Sequence, residues 1–281
     1  EVFYRMYDVK KSLGRRNAFA ALLGEGWYSQ SRVWAPSAFK YGDVCLCAQL
    51  EITYADGRVQ YLDPEHPTWS VLYQIEHMRS YMPTSDVLGT DPYPIGTREG
   101  KIGNVALSTR RAREALFGAR PLWQVPQDFD WATCRPALKD VARPPTEREL
   151  RNMCWQCIAE GANGIVLYSF GGYDKMAARY STDERWTITC RVASEIRDQF
   201  PMLLSDDVTG SVSGDHLDVS VRAWRMAEGL RVLAVNDTEE PRRLSVHVDG
   251  RPLDKELPPL GVTVFAEGER CFRPLEIGRD R

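Results

Sequence analysis

RPPTERELRNMCWQCIAEGANGIVLYSF, residues 143–170, decides how the rest of the chain is read. Pro144 and Pro145 stop any helix arriving from upstream. Thr146 with Glu147 and Glu149 then starts a new one, its acids set near the positive end of the helix dipole. The helix is expected over 147–160. Gly161 and Gly164 end it and lead into an apolar strand over 164–170. A helix delivered by glycines into an unbroken apolar run is the connection that parallel sheets use.

The same alternation extends outward. Short apolar runs at 68–73, 86–89 and 121–125 read as strands. Stretches at 104–117 and 186–200, and part of 71–81, read as helices. After Pro201 the period changes. Residues 211–213, 216–224, 230–235, 244–248 and 261–266 alternate as short strands. Gly214-Asp215, Gly229, Asn236-Asp237, Asp249-Gly250 and Pro258-Pro259 separate them, which suggests a small antiparallel sandwich. Before Tyr61 the chain also reads as β, with CLCAQLEITYADGRVQYL (45–62) alternating around a turn at Ala55-Asp56-Gly57. The expected organisation is therefore residues 1–61 as β, 62–200 as βα units on a parallel sheet and 201–281 as a C-terminal β-sandwich. The expected fold class is α/β plus β.

Composition narrows the function classes. The chain has 281 residues, 43% hydrophobic and 27% charged, with a net charge of -3, as in an ordinary globular protein. No apolar run approaches the roughly 18 residues that span a bilayer, and the charge balance disfavours nucleic-acid binding. No G-x-G-x-x-G or Walker motif occurs, no H-x-x-x-H pair occurs among the 4 His, and no metal or cofactor is expected. The 7 Cys are odd in number and scattered, so they read as reduced thiols rather than a disulfide framework, which leans toward a cytoplasmic setting. Cys154-Trp155-Gln156-Cys157 has redox spacing but falls mid-helix, where packing is the plainer role. Asn236-Asp237-Thr238 is a glycosylation sequon if the chain is secreted by a eukaryotic cell. Trp27 and Tyr28 are aromatics that suit either a sugar face or a core. A first residue of Glu1 reads as a processed or excised piece.

The candidate chemistry lies where the strands end. GTDPYPIG (89–96), PLWQVPQDFDW (121–131) and LYSFGGYD (167–174) place polar and aromatic residues after three successive strands. In parallel α/β folds function collects at those carboxyl ends. Asp91 is the candidate catalytic acid. Tyr93, Gln124, Gln127, Trp131, Tyr168 and Tyr173 are the candidate substrate-binding residues, and Asp130 and Asp174 are weaker acids. Amides, carboxylates and aromatic faces together are what a sugar's hydroxyls and ring faces require. As strand-end caps, the same residues would be merely polar loops.

These residues also carry a resemblance. LDPEHPTW (62–69), DVLGTDPYPIG (86–96), RPLWQVPQDFDW (120–131) and the 143–170 stretch, in that order, resemble the later half of a glycoside-hydrolase (β/α)8 barrel. Residues 186–200 followed by PMLLSDD resemble the last barrel helix entering a C-terminal β-sandwich. YDVKKSLGRRNAFAALLGEGWYSQ (7–30) and YGDVCLCAQLEITYADGRVQ (41–60) are similar instead to the N-terminal β-sandwich module of bacterial α-L-rhamnosidases, which accompanies a catalytic domain. The resemblance implies residues 1–61 as a partial N-terminal β-sandwich and 62–200 as a partial (β/α) barrel, a partial TIM-barrel-like βα unit flanked by β-sandwich segments. That barrel is entered at its fifth strand, hence without the strand-four general acid, and four strands cannot close a barrel of eight, so an open sheet edge is expected. The resemblance also implies Gln124 and Gln127 where strand seven often supplies a nucleophile.

The function expected is hydrolysis of O-glycosidic bonds in a plant- or glycan-derived saccharide. The alternatives are a non-catalytic carbohydrate-binding or accessory protein, or a truncated chain with no activity of its own. The expected partner is a carbohydrate, not nucleic acid or membrane, with a second copy or another chain as an option to cover the open edge.

Overall fold

Leu50–Thr53 (β1) and Val59–Leu62 (β2) pair antiparallel, Leu50 opposite Leu62 and Thr53 opposite Val59, as the alternation around residue 56 requires. The computed structural model describes residues 50–53, 59–62, 68–169, 176, 179–216, 218–269, 271–275 and 277. Trp27, Tyr28, Cys45, Cys47, Tyr173 and Asp174 lie outside the described residues. The chain divides into two units, Glu1–Thr68 with Pro83–Asp86, and Trp69–Met82 with Val87–Arg281. In the smaller unit the Asp86 carboxylate accepts from both the backbone N–H (2.6 Å) and the hydroxyl (2.9 Å) of Thr68.

The larger unit begins with the βα pattern. Trp69–Val71 (β3) runs parallel to Val87–Gly89 (β4), Trp69 against Val87. A parallel bridge from Leu88 to Leu122 joins β4 to Trp123–Gln124 (β5), which runs parallel to Gly164–Ile165 (β6). A further parallel bridge links Gln127 to Tyr168. The four strands thus lie side by side in chain order. Asn104–Leu116 (α2) carries the chain from β4 to β5, and Glu147–Ala159 (α3) from β5 to β6. The first connection holds only one short helix, Met78–Tyr81 (α1), where part of 71–81 was expected helical. Among the described residues no strand closes this sheet into a barrel.

Helix α3 starts as the Thr146 signal predicts. Thr146 accepts from the Glu149 N–H, and the Glu149 carboxylate reaches back to the Thr146 N–H at 2.8 Å, a complete capping box. Arg143 grips both Glu149 oxygens at 2.7 Å. Along α3 the apolar residues serve two cores. Leu150, Met153, Cys154 and Cys157 pack with Ile102, Val105 and Val192, whereas Trp155, Ile158 and Ala159 pack on the C-terminal sheets. Strand pairing on β5 and β6 covers two residues each, shorter than the apolar runs at 121–125 and 164–170. Pro121 and Pro126 flank β5 and have no N–H to give a ladder.

Thr182–Asp198 (α4) begins four residues before the expected Trp186. Ser181 caps it by accepting from the Glu184 N–H, with Asp183 and Glu184 in the first turn. Phe200–Leu203 (α5) then leads into antiparallel sheets. Asp206–Asp207 (β7), Val219–Met226 (β9), Gly229–Asn236 (β10), Val262–Ala266 (β13) and Arg273–Leu275 (β14) form one sheet, ordered β14-β13-β10-β9-β7. Val212–Asp215 (β8), Arg242–Val248 (β11) and Arg251–Leu257 (β12) form the other, ordered β12-β11-β8. Both sheets contribute to one core, with Val221, Val232 and Ala234 from the first and Leu244, Val246 and Leu253 from the second. The sequon does not present a modification site. Asn236 is fully buried, and its side-chain amide donates to the Glu240 and Pro258 carbonyls.

Candidate active site

The segment after β4 is held tightly at both ends. A Cβ on Gly89 would come within 1.9 Å of the Trp123 carbonyl oxygen, so only glycine lets β4 lie this close to β5. Just beyond, the Gln124 side chain accepts from the Thr90 N–H at 2.8 Å and donates to the Thr109 hydroxyl at 2.8 Å. Gln127 accepts from the Ile95 N–H at 2.9 Å and donates to the carbonyls of Ile95 and Phe129 at 3.0 and 2.9 Å. The two amides clamp residues 90 and 95 and so set the loop between them, which carries Asp91 and Tyr93. Both glutamines are fully buried with their polar atoms engaged, and neither presents an atom to solvent. They act by positioning that loop.

Asp91 and Tyr93 stand beside one another on the loop, the Tyr93 hydroxyl hydrogen-bonded to the Asp91 carboxylate. Burial is the main influence on this carboxyl and pushes its pKa up to about 6, against the opposing pull of a backbone N–H and the Tyr93 hydroxyl. Burial also raises the Tyr93 phenol, and the neighbouring Asp91 charge adds to it. Behind Tyr93 sits an aromatic wall built from the ends of β5 and β6. Tyr168 stacks on it with ring centroids 5.8 Å apart and planes at 23°, Phe129 meets it edge-on at 5.0 Å, and Trp131 lies at 6.0 Å. The Trp131 indole N–H reaches the Tyr93 carbonyl at 3.3 Å, and the Arg135 guanidinium lies 4.7 Å above the Trp131 ring.

A cleft of about 320 Å³ opens over this loop. Asp91, Tyr93 and Thr90 line one side, Tyr73 and Ile75 from the segment after β3 line another, and Glu99 and Gly100 from the loop before α2, with Asn104 and Ser108 of α2 itself, complete it. Tyr73 is 88% exposed. Glu99 is the acid that the sequence reading did not weigh. Its signal was a charged run, Thr97-Arg98-Glu99-Gly100, directly after the DPYP motif. The structure brings Asp91 and Tyr93 into the cleft, sets Trp131 and Tyr168 in the aromatic wall behind Tyr93, and keeps Gln124 and Gln127 beneath the loop.

The other acids and thiols have structural roles. Asp130 caps the turn at Trp131–Thr133 by accepting from the Ala132 N–H at 2.8 Å, and it pairs with Arg179 at 3.0 Å. Asp128 is buried against Arg185 and accepts from the Thr189 hydroxyl at 2.6 Å. Burial raises the Cys154 thiol well above its ordinary range and the Cys157 thiol to about 12, so neither offers a thiolate for redox chemistry. Among the described residues no His, Cys, Asp and Glu cluster is placed to hold a metal, and no helix is long and apolar enough to cross a membrane.

A search of curated protein sequences found no match. Several solved structures resemble the chain at low identity, every TM-score below 0.5. The cyclic alpha-maltosyl-(1→6)-maltose hydrolase of Arthrobacter globiformis is 11% identical with a TM-score of 0.39, covering 72% of this chain and 50% of its own. An Anoxybacillus alpha-amylase is 12% identical with a TM-score of 0.42, covering 70% and 51%. A GH30 endoxylanase of Clostridium papyrosolvens is 11% identical with a TM-score of 0.33, covering 75% and 54%. The chain spans about half the length of these proteins. A family profile matches residues 1–80, past Tyr61 and through β3. That match is to the alpha-L-rhamnosidase N-terminal domain, and it is the family relationship that the first part of this chain carries.

Proposed function

We propose that this chain is a glycoside hydrolase or is derived from one, and that the cleft beside β4 takes a saccharide. On this reading the four parallel strands are half of a (β/α) barrel within residues 62–200, residues 1–61 are a rhamnosidase-like β-sandwich and residues 201–281 a second one. One observation carries the proposal. Asp91 is a carboxyl raised to about 6 by burial, opening into a cleft that also holds a second carboxyl, Glu99. Two carboxyl groups in unlike surroundings are what glycosidic cleavage uses, one as proton donor and the other as base or nucleophile. Asp91 is assigned the donor role and Glu99 the second. The Tyr93 hydroxyl donates to the Asp91 carboxyl and orients it, and Tyr73 gives a stacking face, with Trp131 and Tyr168 in the wall behind Tyr93 and Gln124 and Gln127 holding the loop.

The test is hydrolysis across a panel of nitrophenyl glycosides. Asp91→Asn and Glu99→Gln are each expected to lower turnover by about 10²–10⁴-fold. Donor competence requires the protonated carboxyl, so turnover is expected to decline as pH rises through about 6. No turnover of any glycoside by the parent chain would remove the reading.

A second reading is favoured by the buried amides of Gln124 and Gln127, which hold the position where the barrel resemblance calls for a carboxylate. On that reading the cleft binds saccharide without cleaving it. Calorimetric binding to an oligosaccharide with no product released would support it.

A further inference from the structure

The joint between α3 and the C-terminal sheets holds a buried polar cluster beside its apolar contacts. Ser220, fully buried on β9, places its Oγ 2.8 Å from Glu160 Oε1 and 2.7 Å from Asp237 Oδ2. A hydroxyl has one proton to donate. If both carboxyls were ionised, one of these two short contacts would set lone pair against lone pair in a space closed to solvent. The surroundings distinguish the two acids. Arg110 grips both Glu160 oxygens, at 2.6 and 3.0 Å, which matches an ionised carboxylate. Among the described residues Asp237 has no ion-pair partner of this kind and its buried Oδ1 has no hydrogen bond, and the residue is 6% exposed.

We propose that Asp237 is held as the neutral acid, so that Asp237 O–H donates to Ser220 and Ser220 O–H donates to Glu160, and that this ordered chain is a pH-sensitive fastening between the helices and the C-terminal sheets. Every contact is then satisfied by one proton each. Burial is the largest influence on the Asp237 carboxyl. Together with the nearby charges of Glu160 and Asp218, it raises the pKa well above the ordinary carboxylate range, against the opposing pulls of Ser220 and Arg110.

The charged groups around the joint come from each packed element. From α2 they are Arg110, with Glu114 beside it, and Arg113. From α3 the group is Glu160. From β9 and the residue before it they are Arg222 and Asp218. Arg222 is itself directed to Asp207 at 2.5 Å and to the Ile158 carbonyl at 3.4 Å, and Asp218 to Arg242 at 3.2 Å. The joint also reaches the head of α2. A Cβ on Gly103 would lie 3.0 Å from the Asp237 carbonyl oxygen, and Gly103 precedes Asn104 in the cleft wall.

The direction of the effect follows from linkage. An acid with a raised pKa in the folded state contributes stability fully below its unfolded pKa, and that contribution is lost as pH rises through the folded one. Asn at 237 supplies a permanent N–H donor to Ser220 and cannot ionise. Thermal unfolding of the full chain and of Asp237→Asn from pH 4 to pH 9 tests the idea, because every other titrating group contributes alike to both. The parent's Tm is expected to fall relative to the variant by about 5 °C across that range. A Tm difference that stays constant with pH would overturn the proposal. Infrared spectra of parent protein with ¹³C-labelled aspartate give a test that needs no variant. A carboxylic-acid carbonyl band that persists at pH 7 is expected from Asp237, in addition to one from Asp91 that fades as pH rises through about 6. The absence of any such band at pH 7 would equally overturn it.

Discussion

The larger unit contains two kinds of sheet, and they bury their faces differently. In the C-terminal sheet both faces of β10 are covered. Leu230, Val232 and Ala234 face the core shared with the β8–β11–β12 sheet, while Leu233 and Val235 face Trp155 and Ile158 of α3. The period of two along the strand is still present, but each face is apolar, so the run reads as nearly continuous. In the parallel sheet the helix-facing side is packed closely, with Leu88 and Leu122 against Met78, Ala112 and Leu116. The other face shows Trp69 and Trp123, 37% and 38% exposed, their ring centroids 5.9 Å apart. Similar apolar runs therefore lead to different degrees of burial, according to what packs on the second face. An open parallel sheet also has free edges, which a closed barrel would not have.

This contrast is open to experiment. The largest loss is expected for Leu233→Ala, a fully buried side chain wedged between β10 and α3. It should lower unfolding free energy by about 3 kcal/mol in a denaturant titration. A loss below 1 kcal/mol would mean that the second face of the C-terminal sheet is not packed. Next is Gln127→Leu, which keeps the apolar volume but leaves the Ile95 N–H and carbonyl without partners. The expected cost is about 2 kcal/mol, with glycoside turnover lowered as the Asp91 loop loosens. Unchanged turnover in this variant would show that the loop holds its shape without the clamp. Thr146→Ala removes the capping box of α3 and should cost about 1 kcal/mol. The smallest effect is expected for Val71→Thr, at an exposed side chain of β3, within about 0.5 kcal/mol. A larger cost there would show that this side chain is covered in solution.

Helices α2 and α3 were legible almost to the residue, because their limits are written in local chemistry: the glycine before Asn104, the prolines and Thr146 before Glu147, and Gly161 beyond the end. The start of α4 was read four residues late: Ser181, Asp183 and Glu184 mark it, but its apolar periodicity begins only later and drew the expected boundary inward. Strand β12 escaped notice. It reads RPLDKEL, and only Leu253 and Leu257 face the core, so its pattern is that of a charged edge rather than an alternating strand. For the candidate site, the DPYP loop marked itself by its position after a strand. The role of Gln124 and Gln127 did not, since an amide that crosslinks a loop and one that binds a sugar have the same letter. Glu99 was passed over because a charged loop residue gains meaning only from the cleft it faces.

What the residues decide alone is local and periodic: where helices start and stop, where β gives way to βα and back again, and which loops gather at strand ends. Backbone sterics, capping and side-chain period act over a few neighbours, so they can be read directly. Tertiary structure alone decides burial and partnership: that two glutamines lie under the loop, that Asp91 loses enough solvent to hold its proton near pH 6, and that Ser220 stands between two acids. Desolvation and hydrogen-bond satisfaction depend on residues far apart in the chain coming within a few ångströms, and no local pattern encodes that meeting.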